Sequence, residues 1–174
     1  MWLISLLFLP LSSALFTIPY GIQYNGEIED VLKSECTLCY EVYYEEGTSS
    51  IDILSCAGPV LFVGARRYEP WLKKNLIQLG AFGLASAVHR TTALNTPHFS
   101  NGVYWYFTPG KSFGFLSDTD LHQEPAGDTG STNKEARLSW NLNGHGGYLA
   151  GSAPLWFDFS LQKLIYNCPN NFGG

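Results

Sequence analysis

Short segments with strand-like patterns of hydrophobic and polar residues follow one another along this chain, and Gly and Pro separate them. Val60–Val63 is a continuous apolar run bounded by Gly and Pro residues, which is typical of a strand buried on both faces. Tyr40–Glu46 has strand composition, Ile51–Leu54 alternates after the turn Gly47–Ser50, and Leu161–Tyr166 predicts a last strand. Roughly nine or ten such segments predict an all-β fold, an antiparallel β-sandwich. The sequence shows no internal repeat of fixed period, which argues against a propeller or a solenoid.

The central part of the chain predicts a β-hairpin. Val103–Phe107 is an aromatic, strand-forming run, and Ser112–Leu116 leads back from the turn. The turn Thr108–Lys111 fits type II, because Pro109 fixes φ at the second position and Gly110 permits a positive φ at the third.

A second hairpin is predicted nearer the C-terminus. Arg137–Leu142 places alternate apolar side chains on one face, Asn143–Gly147 turns the chain, and Tyr148–Ala150 returns. Between the two hairpins, Ser117–Lys134 is polar and rich in turn residues, so we expect a long exposed loop there.

Residues 69–79 favour one short helix within this β fold. Pro70 stands near the expected start and Gly80 follows the expected end. Three leucines would share one helical face: Leu72, Leu76 and Leu79. The later part of the segment also fits a strand, so we expect a short helix or loop followed by a strand.

The first sixteen residues carry no charge, and residues 1–14 are predicted to be a secretory signal peptide. The apolar run Trp2–Leu11 is followed by small residues that a signal peptidase accepts, with Ala14 as the last residue removed. A buried strand or a membrane anchor is the alternative, but an anchor needs about 20 apolar residues, and Pro10 and two serines interrupt this run. The sequence therefore predicts a single domain over 15–174 that is secreted, extracellular and without a transmembrane segment.

Four cysteines lie in the predicted mature chain: Cys36, Cys39, Cys56 and Cys168. An even number in a secreted protein predicts two stabilising disulfides, and sequence alone leaves three connectivities open. A bridge between Cys36 and Cys39 would close a small strained ring, so we expect one of them to pair with Cys56 and the other with Cys168. The C-x-x-C spacing also occurs in zinc and redox sites, but the second ligand pair and the βαβ context that those sites need are missing from the sequence.

Composition narrows the class of protein further. The chain has 174 residues, of which 45% are hydrophobic, 15% aromatic and 14% charged, and these values exclude a disordered chain and a helical bundle. The net charge of −5 leaves no basic field for phosphate backbones, so nucleic acid is not an expected partner. Acidic residues gather between Glu27 and Glu46, as is usual for a solvated face.

One motif is of a kind that carries catalysis. Gly110–Gly114 matches G-x-S-x-G, the nucleophile elbow of serine hydrolases, with Ser112 as the nucleophile and Asp residues and His145 downstream. The elbow requires a strand, a sharp turn and a helix, whereas this match lies in a predicted hairpin. A small secreted hydrolase that uses Ser112 or a carboxylate pair is therefore the alternative function. No cofactor fingerprint occurs and the four histidines show no metal-ligand spacing, so we expect neither cofactor nor metal.

Aromatic residues near turns predict a binding surface. Alternation puts the two tyrosines of Tyr104–Phe107 on one face of their strand and Trp105 and Phe107 on the other, so one pair faces away from the core or into a second layer. Exposed aromatics beside polar turns are typical of surfaces that bind sugars or proteins. We expect the ligand at one end of the sandwich, at loops 117–134 and 143–147. The candidate ligand-binding residues are Tyr104, Trp105, Tyr106, Trp140, His145 and Tyr148.

Segments 110–115, 137–142 and 146–148 read GKSFGF, RLSWNL and GGY, and together they resemble ligand-binding sandwiches of the SPRY kind. The resemblance covers about a third of the chain, and no residue role is carried over from it. With the strand pattern, it makes the expected sandwich jelly-roll or SPRY-like. The expected function is a secreted, lectin-like binding module for an extracellular glycan or protein, and a structural extracellular component is a further alternative.

Overall fold

The computed structural model describes residues 18–33, 35–71, 73–124, 129–131, 133–144, 147–151, 153–154 and 161–170. The predicted signal peptide lies outside these residues. Within them, no helix combines the length and the apolar character needed to cross a bilayer. The strands are β1 (Ile22–Tyr24), β2 (Thr37–Tyr43), β3 (Val60–Glu69), β4 (Lys74–Leu84), β5 (His98–Ser100), β6 (Val103–Thr108), β7 (Ser112–Leu116), β8 (His122–Gln123), β9 (Thr129–Gly130), β10 (Arg137–Asn141), β11 (Gly147–Ala150), β12 (Ala153–Pro154) and β13 (Leu161–Cys168). The helices are α1 (Ile28–Leu32), α2 (Ser50–Leu54), α3 (Ala85–Val88) and a 3-10 turn (Lys134–Ala136).

Two antiparallel sheets form a sandwich. The first sheet has five strands in the order β1-β4-β3-β13-β2, and the second has six in the order β12-β11-β10-β7-β6-β5. Strands β8 and β9 form a separate two-stranded ribbon. The predicted all-β antiparallel sandwich is therefore confirmed.

Both predicted hairpins are present. β6 pairs with β7, and the Lys111 N–H donates to the Thr108 carbonyl oxygen at 3.0 Å across the turn between them. Gly110 has a φ of +69°, as the third position of a type II turn requires. β10 and β11 form the second hairpin, in which Leu138 lies opposite Ala150.

Large apolar side chains fill the space between the sheets. Leu61 and Val63 of β3 are buried in one cluster with Trp105, Phe113 and Trp140 of the second sheet. The Phe113 and Trp140 rings are tilted, with their centroids 5.4 Å apart. Tilted ring pairs add to the hydrophobic gain from burial, so part of the high aromatic content of the chain serves this core.

Helix α1 covers part of the outer face of the first sheet. Its Ile28 and Leu32 belong to a second buried cluster with Phe62, Phe82 and Leu164, which point away from the inter-sheet core. The Phe62 and Phe82 rings are 4.9 Å apart. The part of this face beside the β3–β4 turn carries polar and aromatic side chains instead, and the candidate site lies there.

The outer face of the second sheet is partly covered by the segment after β7. Leu121 packs with Tyr106 and Leu116 in a third buried cluster, and Gln123 of β8 is also buried. The prediction of one long exposed loop over 117–134 is therefore wrong for its first part, because Leu121 covers the apolar Tyr106 face of β6. Residues 125–128 and 132 of this segment lie outside the described residues.

Two disulfides tie the first sheet together. Cys36 pairs with Cys168 at the end of β13, and Cys39 of β2 pairs with Cys56 just after α2. The prediction that Cys56 and Cys168 each bind one cysteine of the C-x-x-C pair is confirmed, and all four thiols are in disulfides.

Of the two alternatives expected over 69–79, the loop followed by a strand is confirmed, and the short helix is absent from the described part of this segment. Glu69 ends β3 and Lys74 begins β4, and these two residues lie opposite each other in the antiparallel pair. Pro70 therefore begins a hairpin turn, in which the Lys73 N–H donates to the Pro70 carbonyl oxygen at 3.3 Å. Pairing along the whole of β3 outweighs the weak helical spacing of the leucines, since propensity is a weak prior.

The strand expected at Ile51–Leu54 is a helix, α2. The Ser49 side chain accepts a hydrogen bond from the Asp52 N–H, and the Asp52 carboxylate accepts one from the Ser49 N–H, which is a capping box. Four alternating residues fit a single helical turn as well as a strand, and the cap decides between them.

Candidate functional site

Three of the predicted ligand-binding aromatics are core residues. Trp105, Tyr106 and Trp140 are fully buried. Their polar ends are satisfied internally: Trp105 Nε1 donates to the Ser100 carbonyl at 3.2 Å, Tyr106 Oη to the Leu138 carbonyl at 3.0 Å, and Trp140 Nε1 to Tyr44 Oη at 3.1 Å. We therefore correct the expectation for these three residues, because a ring with no exposed surface has none to offer a ligand.

The other predicted residues are placed less completely. Tyr104 is half-buried and packs edge-to-face on Phe99, with ring centroids 5.2 Å apart. Tyr148 lies in β11, but its side chain is outside what the structure describes, and so is all of His145. Among the predicted residues whose side chains the structure describes, only Tyr104 has exposed surface, so these residues do not form a shared site.

The serine of the G-x-S-x-G match is enclosed. Ser112 is fully buried, and its Oγ accepts a hydrogen bond from Gln123 Nε2 at 2.7 Å. It begins β7, directly after the hairpin turn, with no helix following it. This arrangement argues against Ser112 as a nucleophile, since a substrate needs access to the hydroxyl and a general base beside it.

The described histidines and acids do not form a metal centre. Among the described residues, no group of three His, Cys, Asp or Glu side chains is arranged to hold an ion. Burial lowers the pKa of His89 and of His98. His122 is exposed and pairs with Asp120 at 2.8 Å.

A cavity of about 660 Å³ opens beside the turn between β3 and β4, and we call it the hairpin pocket. It lies where the outer face of the first sheet reaches this turn, and aromatic, charged and amide side chains surround it. Its lining residues are Tyr43, Arg66, Arg67, Tyr68, Glu69, Pro70, Trp71, Asn75 and Gln162.

Strand register brings five of these side chains to one face of the sheet, whereas Arg67 and Glu69 alternate with Arg66 and Tyr68 along β3 and start from the other face. Tyr68 of β3 lies opposite Asn75 of β4, and Arg66 of β3 lies opposite Gln162 of β13. Gln162 in turn lies opposite Tyr43 of β2. Directly opposed residues share a face of the sheet, and so do Arg66 and Tyr68, which are two residues apart on β3. These five side chains therefore lie on one face across four strands, of which only β3 and β4 follow each other directly in the chain.

Three aromatic rings of the hairpin pocket are exposed to solvent. Trp71 in the turn is 79% exposed, Tyr43 is 46% exposed and Tyr68 is 45% exposed. Single exposed aromatics are ordinary, whereas these three lie around one cavity, which makes the hairpin pocket the candidate site.

Each arginine of the hairpin pocket has a carboxylate partner. Arg66 Nη2 donates to Glu41 Oε1 at 2.5 Å, and Arg66 Nε also donates to Gln162 Oε1 at 3.0 Å. Arg67 Nε lies 2.7 Å from Glu69 Oε1, and the Glu69 side chain is almost fully buried. Arg66 is therefore held by two partners in a largely buried position, whereas Arg67 is 42% exposed and has Glu69 as its ion-pair partner.

Lys163 is an unusual buried cation elsewhere in the first sheet. Its ammonium donates to the Glu46 carbonyl oxygen and, at 2.7 Å, to Thr48 Oγ1. Burial lowers the pKa of Lys163 to about 8, although the Glu46 and Asp52 carboxylates act in the opposite direction. These bonds tie β13 to the loop after β2, which is a structural role.

Sequence reasoning missed the hairpin pocket because its residues come from four separate strands. The one local signal was Tyr68–Trp71, where two aromatic residues flank a Glu-Pro turn. The sequence of that segment predicts a short helix or a loop, and a helix would disperse these side chains.

The hairpin pocket therefore combines exposed rings, paired charges and side-chain amides on a concave surface of the first sheet. Comparison of the chain with protein-family models, with curated proteins and with solved structures finds no match in any of the three.

Proposed function

We propose that this protein is a secreted binding module that holds a carbohydrate in the hairpin pocket. The observation that carries the proposal is the exposure of the Tyr43, Tyr68 and Trp71 rings around a cavity whose other walls are mostly polar. This combination matches the surface of a sugar, which has apolar C–H faces and a rim of hydroxyl groups.

The exposed rings suit the apolar face of a pyranose. Aromatic side chains offer a large, rigid contact area with few rotatable bonds, so little conformational entropy is lost when a ligand covers them. Trp71 has the largest exposed fraction of the three and stands at the tip of the β3–β4 turn. A sugar ring packed on its indole would remove this apolar surface from water.

The polar side chains suit the hydroxyl groups. A hydroxyl group both donates and accepts, so a sugar site needs both kinds of partner. The Asn75 and Gln162 amides carry donors and acceptors, the Glu69 carboxylate accepts, and the two arginines donate. Arg66 and Gln162 are held by hydrogen bonds and Glu69 by its ion pair with Arg67, which lowers the entropy lost on binding.

The dimensions fit a short oligosaccharide. The cavity of about 660 Å³ is of ordinary size for a ligand site. The lining crosses from Asn75 of β4 to Tyr43 of β2, three inter-strand steps that amount to about 14 Å.

An extended peptide fits this site less well. Peptides often bind a sheet by adding a strand to its edge, and β2 is an edge strand of the first sheet. The Tyr43 N–H at the pocket end of β2 already donates to Glu46 Oε1 at 3.0 Å. That end of the edge therefore lacks a donor that an added strand would use.

Secretion is part of the proposal because of the predicted signal peptide. The two disulfides are compatible with an extracellular protein.

The test is binding of the purified protein to an array of neutral and acidic oligosaccharides, followed by calorimetric titration of the strongest saccharide. We expect Trp71→Ala to weaken that binding at least about tenfold, as removal of a central aromatic anchor does. Phe99→Ala is the matched control, because Phe99 is an aromatic of the second sheet, 56% exposed, that does not line the hairpin pocket.

The proposal is wrong if no saccharide binds, or if Trp71→Ala and Tyr68→Ala both bind the saccharide as the unaltered protein does. Equal weakening by Phe99→Ala would place the site elsewhere. Binding of a protein partner that depends on Trp71, without saccharide binding, would show that the pocket is a protein-docking surface.

A further inference from the structure

We infer that the hairpin pocket selects neutral saccharides and discriminates against sulfated or carboxylated ones. This inference rests on the proposed function and specifies its ligand class. It depends on the two arginine–carboxylate pairs. In each pair the carboxylate offsets the positive charge of the arginine, so the two cations of the pocket are electrically balanced.

Arg66 is neutralised within the sheet. Its guanidinium bonds Glu41 Oε1 at 2.5 Å from one nitrogen and Gln162 Oε1 at 3.0 Å from another, and its side chain is largely buried. Glu41 and Gln162 lie on strands on the same side of β3, so this guanidinium is directed along the sheet.

Arg67 is neutralised by a carboxylate in the lining itself. Glu69 Oε1 lies 2.7 Å from Arg67 Nε, and the Glu69 side chain is 11% exposed. A carboxylate this enclosed stays close to its partner, because separating them would leave a poorly solvated charge.

A sulfate or carboxylate on the ligand would find both guanidinium groups already paired with carboxylates. Arg66 Nη2 already bonds Glu41 and Arg67 Nε lies beside Glu69, so an anionic group that approaches either guanidinium comes close to a carboxylate. Like charges at such a distance in a partly desolvated site disfavour the complex. Lys74 at the edge of the turn does not reverse this balance, because it is paired with Glu27.

The test compares one neutral oligosaccharide, the tightest on the array, with the same oligosaccharide carrying a single sulfate. For the unaltered protein we expect the sulfated form to bind at least about tenfold more weakly. Glu69→Gln removes the carboxylate and leaves Arg67 without its ion-pair partner. We therefore expect this variant to bind the sulfated oligosaccharide about tenfold more tightly, with a smaller change in its affinity for the neutral one. Glu41→Gln, which releases Arg66, is expected to act in the same direction.

Glu124→Gln is the matched control, since it makes the same change of net charge at an exposed residue outside the pocket. A preference of the unaltered protein for the sulfated form would overturn the inference while the proposed function stands. The same holds if neither Glu69→Gln nor Glu41→Gln gains affinity for the sulfated form relative to Glu124→Gln. Failure of every saccharide to bind would remove the inference together with the proposed function.

Discussion

Lys163 places its ammonium inside the sandwich, above the Tyr44 ring at 5.9 Å from the ring centroid. The folded chain holds this group at a pKa of about 8, against 10.5 for an ordinary lysine. Between these two values the unfolded chain binds a proton that the folded chain has released. Stability must therefore rise with pH in this window and fall as the pH drops through 8.

We expect the free energy of unfolding of the unaltered protein to gain about 2 kcal/mol from Lys163 between pH 7.5 and 9.5. Lys163→Met has no charge at this position, so its stability should lack this gain. Urea denaturation of both proteins at the two pH values, at equal ionic strength, measures the difference. Identical pH dependence in the two proteins would show that the Lys163 ammonium is not desolvated. Tyr40 and Tyr44 do not disturb this window, because burial raises the pKa of Tyr40 to about 12 and raises that of Tyr44 as well.

At the scale of single elements, β7 depends on one glycine. A Cβ on Gly114 would lie 1.9 Å from the Leu138 carbonyl oxygen of β10 and 2.7 Å from the Tyr106 hydroxyl of β6. The obstructing atom on β10 belongs to the backbone, so relief requires the strands themselves to move apart.

Gly114→Ala is therefore expected to destabilise the protein by about 4 kcal/mol or more, as severe overpacking of a sheet does. Gly110→Ala is the matched control in the adjacent turn, where no atom lies within 4 Å and only the positive φ opposes a side chain. Its cost is about 1 kcal/mol. Chemical denaturation of both variants measures the contrast, and similar losses would contradict the close approach at Gly114.

The elements themselves show what the sequence reveals about the fold. The β6–β7 hairpin was predictable because Pro109 and Gly110 specify the turn locally. The strand at Val60–Val63 was predictable because an apolar run bounded by turn residues indicates a buried strand. The choice between a helix and a turn after Glu69 could not be made from the sequence. Leucines at helical spacing also occur in a strand that contains a bulge, as β4 does opposite Ala65 and Arg66. Ser49 and Asp52 did carry the signal for α2, in the form of the capping box.

At the scale of the whole molecule, the two disulfides close very different lengths of chain. Cys36 and Cys168 are 132 residues apart, and Cys39 and Cys56 are 17 apart. The longer loop restricts the unfolded chain more, by about 5 kcal/mol against about 3 kcal/mol on the chain-entropy estimate.

We expect a variant with Cys36→Ser and Cys168→Ser to lose more stability than a variant with Cys39→Ser and Cys56→Ser. Urea denaturation of each variant against the unaltered protein tests the order. A larger loss in the short-loop variant would mean that strain or native-state contacts, and not chain entropy, decide the contribution of these bonds.

The candidate site also belongs to the scale of the whole molecule, which is why sequence reasoning did not find it. The composition indicated aromatic binding residues, but the most concentrated run, Tyr104–Phe107, is mostly core. The exposed rings lie at Tyr43, Tyr68 and Trp71, on elements whose adjacency depends on the register of β13 between β2 and β3. No local pattern in the sequence contains that register.

The Cys36–Cys168 bond has a mechanical consequence. A tensile load applied to the chain before Cys36 and after Cys168 passes directly through this covalent link, and the 132-residue loop it closes carries no tension. Every residue of the hairpin pocket, from Tyr43 to Gln162, lies within that loop. The covalent link therefore keeps such a tension out of the chain that forms the hairpin pocket.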